Sequence, residues 1–406
     1  IWNVEMPQSR GLLTLNAGSS SLKFAVFEID TLDRRLISGS VERIGLDAAM
    51  FQIVDDTGGK IYSSSAPIKT HEQALEQVLA RLDGFTPKFR LMAIGHRVAH
   101  GGPACDCPER VTPALKARLS GLVHLAPLHL PANIAGINAV EATRPDLPQI
   151  ACFDTAFHNR LPKIAQMTGL PRRFNTPEIR RYGYHGLSYE YIIAALRVDA
   201  VDVGRERILV LHLGNGASIC AIRGGKSVET TMGFSTASGL PMGTRSGDID
   251  PGLIDYLLAQ DQFDKADLKG LLYAQSGLAG LSGISRNMAD LLASPEGAAK
   301  DAIEYYCYHT RRHLVGLTAS LGGLDRVVFT GGIGANAPQV RAAICKGLTY
   351  LGISLDSERN LSGDTVISSP DSDVTVEARV TDEEAMIARH VRALAPCSDA
   401  PQKEAC

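Results

Sequence analysis

Two segments half a chain apart carry the same pattern, and this repeat limits what the chain can become. Thr14-Leu15-Asn16-Ala17-Gly18-Ser19-Ser20-Ser21 and Val210-Leu211-His212-Leu213-Gly214-Asn215-Gly216-Ala217 each close an apolar strand pattern with glycine and small polar residues. With Gly18 laid on Gly214 the offset is 196 residues, close to half of the 406 in the chain. Apolar stretches resume after each turn, Phe24-Ala25-Val26-Phe27 and Cys220-Ala221-Ile222. Each copy therefore reads as a β-hairpin whose bend exposes backbone N–H groups and small hydroxyls, a surface able to hold phosphate oxygens. One glycine turn after a strand is ordinary in an α/β protein. Two at this spacing point to an internal duplication facing one cleft.

The chain is too long for one ordinary core and fits two domains of moderate size. With 45% hydrophobic and 21% charged residues and a formal net charge of −3, it announces no polyanion-binding surface, so no nucleic acid is expected as a partner. No apolar run approaches the roughly 18 residues that span a bilayer, and no signal-peptide layout is present. The expectation is a cytoplasmic protein with no membrane partner. The cysteines (105, 107, 152, 220, 307, 345, 397 and 406) are scattered, which suits reduced thiols. Cys105-Asp106-Cys107, lacking a second pair, reads as a surface loop rather than a metal site. His309 and His313 share a helix face but lack the H-E-x-x-H pattern, so they read as solvated.

Short strands, a helix near 71–82, a buried strand at 90–95, a helix at 112–122 and a strand at 149–154 make the first half α/β. The second half repeats this order. Ile208 to Ile222 reads as strand, turn and strand, 250–260 and 264–273 as helices, and Lys300 to Leu321 as a long amphipathic helix. The buried strand from Arg326 to Thr330 then enters Gly331-Gly332-Ile333-Gly334, with a helix from about Pro338, where a missing N–H costs nothing. That turn is a third candidate phosphate cradle. Residues 1–10 and 397–406 read as tails.

Neither G-x-x-x-x-G-K-[ST] nor G-x-G-x-x-G after a strand occurs, which disfavours a P-loop NTPase and a Rossmann dehydrogenase. What remains is three separate glycine turns, at 16–23, 212–216 and 331–336. They resemble those of the actin-like sugar kinase and Hsp70 ATPase superfamily, in which ATP lies in an interdomain cleft. Other polar motifs narrow the field: Gly95-His96-Arg97, Tyr182-Gly183-Tyr184-His185-Gly186 and Met242-Gly243-Thr244-Arg245-Ser246-Gly247-Asp248. Taken singly, Arg97 could be a structural ion pair, His185 a satisfied loop histidine and Arg245 a surface cation. Together with the turns, Ala126-Pro127-Leu128-His129, Phe153-Asp154-Thr155-Ala156-Phe157-His158 and Thr381-Asp382-Glu383-Glu384, they are similar to the acetate kinase family from Leu15 to about Ala388.

The resemblance implies two duplicated actin-like, ribonuclease H-like α/β domains. Residues 11–156 with about 386–396 would form the acceptor and metal side, and 157–385 the nucleotide side. It further implies a homodimer and reversible transfer from ATP to acetate, giving ADP and acetyl phosphate, with Mg²⁺ or alternatively Mn²⁺. By the same resemblance Arg97 and His129 meet the substrate, Arg245 and His185 stabilise the transition state, Asp154 orients the arginine or substrate, and Asn16 and Glu383 hold the metal. Lys23, His212, Leu213, Gly214, Asn215, Gly216, Gly332, Ile333, Gly334, Ala335 and Asn336 would meet the nucleotide, with Asn287, Met288 and Ala289 near the adenosine. The chemistry agrees with these roles. A carboxylate is a weak nucleophile but already ionised at neutral pH, so it needs alignment and charge neutralisation rather than a strong base. A guanidinium fork suits it, and a carboxylate with neutral oxygens suits Mg²⁺.

The sequence departs from the family at both ends of the reaction. Asn287 and Ala289 stand where the adenosine pocket usually has Asp-x-Arg, and Ala335 stands where Glu is usual. Leu130 replaces the Asn that usually follows His129. In the acyl pocket Ala99 stands for Val, Tyr184 for Phe and Thr236 for Pro, while Leu128 is retained. One methylene in such a pocket is worth roughly 1–3 kcal/mol of discrimination, so better tolerance of propionate, or longer acids, than in a typical acetate kinase is expected. Two other readings stay open: a butyrate or other short-chain acyl kinase of the same fold, and a catalytically quiet actin-like nucleotide-binding regulator. The latter would have no need of Arg97, Asp154, His185 and Arg245.

Overall fold

The hairpin repeat is carried by two sheets of matching topology. The computed structural model describes residues 9–18, 20–32, 34–85, 89–260 and 263–395. Ser19 of the first turn, residues 1–8 and the expected tail 397–406 lie outside the described residues. Ser9 and Arg10, expected in a tail, instead open the first strand.

The first sheet contains β1 (Ser9–Ala17), β2 (Ser21–Glu28), β3 (Arg35–Glu42), β4 (Ala49–Asp55), β5 (Lys60–Ala66), β6 (Phe89–Val98), β7 (Glu109–Arg110) and β8 (Gln149–Phe153). The order across it is β5-β4-β3-β2-β1-β6-β8-β7. The second contains β9 (Arg207–Leu213), β10 (Ala217–Arg223), β11 (Lys226–Thr230), β12 (Arg326–Thr330) and β13 (Thr375–Ala378), in the order β11-β10-β9-β12-β13. Five antiparallel hairpin strands in the first sheet (β5 to β1) and three in the second (β11 to β9) continue into two parallel strands reached by crossovers, with β7 antiparallel at the far edge of the first. The strands β3-β2-β1-β6-β8 thus match β11-β10-β9-β12-β13 in order and direction. The 196-residue offset read from the glycines also separates the strand ends Ala17 and Leu213, and the strand starts Ser21 and Ala217.

One unit comprises the chain up to Ala156 together with the chain from Asp382. One face of its sheet packs on the helix His71–Asp83, burying Leu75, Val78 and Leu79 among Leu13, Leu15, Phe24 and Ile94. The other carries the helix Glu383–Leu394, whose Ile387, Ala388 and Val391 are buried. An ideal Cβ on Gly95 would lie 2.4 Å from Ile387 Cγ2 and 2.5 Å from Val391 Cγ2, so only glycine lets this helix lie so close to β6. Asp382 caps the helix by accepting from the Ala385 N–H at 2.8 Å. The unit boundary therefore precedes the cap, four residues before the 386 expected from sequence.

The other unit spans Phe157–Thr381. Alternate residues of its buried strands face opposite cores, so the strands read as continuous apolar runs. Leu209, Leu211 and Phe329 pack with Tyr306 and Leu314 of the helix Gly297–Leu321, while Ile208, Val210 and Val328 pack with Tyr189, Ile192 and Leu196 of the helix Gly186–Val198.

The expected glycine turn after β12 is itself a helix, Gly331–Asn336, followed by Pro338–Cys345. The buried Arg341 makes this possible. Its Nη1 donates to the carbonyls of Gly334 at 2.9 Å and Ala335 at 2.8 Å, groups a six-residue helix would leave unpaired. Five cysteines, 105, 152, 220, 307 and 345, are free and buried, but Cys107 is disulfide-bonded, correcting the expectation of wholly reduced thiols. His313 sits 3.6 Å from Asp248, and His309 packs on Tyr305. Among the described residues no helix is long and apolar enough to cross a membrane.

Candidate active site

In the first unit the strand ends deliver a cluster of charge. Arg97, next to last in β6, lies in register with Cys152 of β8, two residues before Asp154. Its Nε donates to Asp154 Oδ1 at 3.1 Å and its Nη2 to Oδ2, a two-pronged pairing, while Nη1 donates to Asn16 Oδ1 at 3.3 Å. Asn16 Nδ2 in turn donates to Glu383 Oε2 and Glu384 Oε1, each at 3.3 Å. Burial works against the Arg97 cation, but Asp154 and then Glu383 outweigh it and hold the guanidinium above its ordinary pKa. Glu384 is pushed up by burial first and by the adjacent Glu383 second.

Glu383 is the carboxylate expected from sequence, and Glu384 accepts from the same Asn16 amide. The signal for both was present in Asp382-Glu383-Glu384, a capping residue followed by two first-turn carboxylates. Lys23 stands directly opposite Asn16 in the β1–β2 hairpin, hence on the same face, and lines a cavity of about 330 Å³ with Arg35, Glu42, Gln52 and Glu384. Ala99 is buried, its N–H donating to Asn133 Oδ1 at 3.0 Å. Leu128 is exposed, and half-buried His129 precedes the helix Leu130–Thr143. Leu130, the residue after His129, is fully buried.

In the second unit the same strand ends carry imidazoles and open backbone. His185 caps the helix Gly186–Val198 in a left-handed conformation with φ of 61°. Its Nδ1 pairs with Ser218 Oγ at 2.8 Å, and its ring stacks on His212 at 4.2 Å between centroids. His212 Nδ1 pairs with Ser188 Oγ at 2.8 Å. At the hairpin tip, an ideal Cβ on Gly216 would lie 3.1 Å from His185 Nε2 and 3.5 Å from Arg245 Nη1. Arg245 Nη1 donates to the Thr236 carbonyl at 3.2 Å, and its loop is pinned to the hairpin by Gly243 N donating to Asn215 O at 3.1 Å. The helix Gly331–Asn336 joins the same group, since an ideal Cβ on Gly214 would lie 3.9 Å from Gly332 N. Asn336 Nδ2 donates to Gly332 O at 3.0 Å, across the segment that holds Ile333, Gly334 and Ala335.

His185, His212, Gly214, Asn215, Gly216, Arg245 and Gly332 are thus neighbours. Other expected residues are placed differently. Leu213, Tyr184 and Met288 have their side chains in the second core, so only their backbones face outward chemistry, and Tyr184 OH is spent on the Phe234 carbonyl at 3.0 Å. Asn287 and Ala289 are exposed, with Asn287 Nδ2 donating to Asp290 Oδ2 at 3.2 Å. Ser188 and Ser218, which orient the two imidazoles, were not singled out from sequence. Ser218 was detectable as a hydroxyl within the otherwise apolar stretch of β10 before Arg223.

The geometry invites comparison with known proteins. Residues 11–389 match the acetokinase family. An acetate kinase of Rhodopseudomonas palustris is 46% identical over 391 residues, covering 95% of this chain and 98% of that one. The crystal structure of Porphyromonas gingivalis acetate kinase superposes with a TM-score of 0.84 at 35% identity, covering 94% of this chain and 98% of that one. A propionate kinase from Francisella tularensis superposes with a TM-score of 0.88 at 33% identity over the same shares. With duplicated sheets, matched strand ends and relatives of this kind along nearly its whole length, the chain belongs to the acetokinase family and has its duplicated actin-like α/β fold.

Proposed function

We propose that the chain catalyses reversible, Mg²⁺-dependent, in-line transfer of the γ-phosphoryl group of ATP to acetate or propionate, giving ADP and the acyl phosphate. Family membership makes it an enzyme of the acetate kinase type; the metal, the direct path and the residue roles are our reading. The observation that carries it is the placing of His185 Nε2 and Arg245 Nη1 around the side-chain-free backbone of Gly216. A glycine hairpin with a cation and an imidazole beside it suits a group whose charge spreads over equatorial oxygens.

The substrate oxygen attacks phosphorus as the bond to the ADP oxygen breaks, and no proton need be removed. Arg97, oriented by Asp154, holds the carboxylate, with His129 beside the acceptor. His212 and the glycines of both backbone turns receive phosphates. Glu383 and Glu384 supply hard carboxylate oxygens that suit Mg²⁺, beside Asn16, whose Nδ2 donates to both and whose Oδ1 accepts from Arg97. An ion held there would neutralise phosphate charge. Such substrates suit a cytoplasmic enzyme. A homodimer is supported by the helices Pro251–Leu258 and Lys265–Gly270, which bury none of their residues although Leu253 and Tyr256 are apolar and exposed.

Acyl hydroxamate formation with ATP, Mg²⁺ and acetate, propionate or butyrate tests the reading. Acetate and propionate should be used comparably and butyrate poorly. A preference for butyrate would support the acyl kinase of longer chains, and no product with any acid would support the non-enzymatic regulator.

A further inference from the structure

Behind His185 lies a second histidine that sequence assigned no role. His158 is fully buried, its Nδ1 2.8 Å from Ser227 Oγ and its Nε2 2.9 Å from the Tyr184 carbonyl oxygen. A carbonyl only accepts, so Nε2 carries the proton and Nδ1 accepts from the serine hydroxyl. Burial pushes its pKa down to about 4, against the opposing pull of that carbonyl, so the ring is neutral where such enzymes work.

The ring also shapes the backbone leading to His185. Gly183 has φ of +74°, and an ideal Cβ there would lie 2.7 Å from His158 Cδ2 and 2.7 Å from Thr230 Cγ2. The chain passes tightly over the imidazole, is tied to it at Tyr184, and enters the left-handed conformation of His185. A second route runs through Tyr189, which packs edge-on against His158 at 5.4 Å and pairs with Ser218 Oγ at 2.5 Å, the partner of His185 Nδ1.

We propose that His158 is a positioning residue for the phosphoryl transfer, fixing the strained Tyr184–His185 peptide and thereby the His185 ring, with Ser227 selecting the tautomer that does so. This rests on the reading that His185 takes part in the transfer. The residue touches no reacting atom. It acts through the geometry of one that does, where small misplacement is costly.

The test is a double-mutant cycle in the full-length enzyme, with acyl hydroxamate formation and melting temperature measured together. His158→Phe should lower kcat by about 10- to 100-fold while KM for ATP and acetate stays within about threefold. His158→Gln, whose amide donates to Tyr184 and accepts from Ser227, should recover to within about fivefold of the parent. In a His185→Ala background the same His158 changes should cost less than about twofold, because the group they position is gone. Losses that multiply unchanged in that background, a fall confined to KM, or a Gln variant no better than Phe would overturn the proposal. Should His158→Phe fail to fold, Ser227→Ala carries the same cycle and decides it by the same criterion. His185→Ala with parental kcat would overturn the role of His185 and this proposal with it, whereas a slow His185→Ala with additive losses overturns the positioning alone.

Discussion

Asn16 and His212 occupy the same place in two copies of one sheet, each next to last in the strand that leads into a glycine bend. Around Asn16 the strand ends gather Arg97, Asp154, Glu383 and Glu384, and the amide sits between a cation and two carboxylates. Around His212 they gather a second imidazole, two serine hydroxyls and bare glycine backbone. In both copies a helix lying on the sheet presents its N-terminal end to the site: Glu383–Leu394 brings carboxylates, and Gly186–Val198 brings His185 and Ser188. The scaffold was duplicated while the chemistry at its rim diverged. In the function proposed above, the first copy serves a metal ion and a carboxylate, and the second phosphate oxygens.

The sharpest way to break this division is Arg245→Ala, expected to lower kcat by about 10³-fold or more with a modest change in KM, as for an arginine finger. Near-normal turnover with a raised KM would reduce Arg245 to a binding group. Next is Arg97→Lys, which keeps the charge but loses the fork. It should lower kcat/KM for acetate by about 10²-fold while leaving KM for ATP within about threefold. Equal losses for both substrates would show that the first copy is not specific to the acceptor. Ala99→Val should lower the propionate-to-acetate ratio of kcat/KM by about tenfold, the scale of a methylene in a tight pocket. An unchanged ratio would remove Ala99 from the acyl pocket.

The smallest effect concerns pH and places one buried histidine in each copy on an equal footing. His96, bonded to Gln149, and His158 both have pKa values lowered by burial to about 4. The unfolded chain takes up these protons first, so their contribution is fully present above about pH 6.5 and is lost as pH falls toward 4. Between pH 7.5 and 5, measured by calorimetry, His96→Gln and His158→Gln should each lose less melting temperature than the parent. Parallel curves would show that neither histidine charges on unfolding.

Much of this was legible in the chain itself. Paired hairpins at a constant offset, apolar strands and glycine punctuation are local signals, because alternation and turn geometry depend on neighbouring residues. Arg97 and Asp154 could be singled out because polar groups at the ends of buried strands are conspicuous, and His185 and Arg245 because each sits among glycines. His158 and Arg341 could not be ranked in the same way. Each is an unremarkable residue type whose importance lies in a partner far along the chain or in a tightly packed ring. The helix after β12 was misread as an open turn for the same reason, since its last carbonyls are satisfied by an arginine beyond the next proline.

The sequence by itself determined the duplicated α/β architecture and the residue types at its strand ends, because both follow from short-range patterns. Only the tertiary structure decided which of those groups meet. Asn16 finds Glu383 across 367 residues of sequence, and His185 finds Ser218 and Gly216 through the packing of a helix on a sheet. Side-chain hydrogen bonds require placement within a few tenths of an ångström, and that precision comes from buried contacts between elements, which no local pattern encodes.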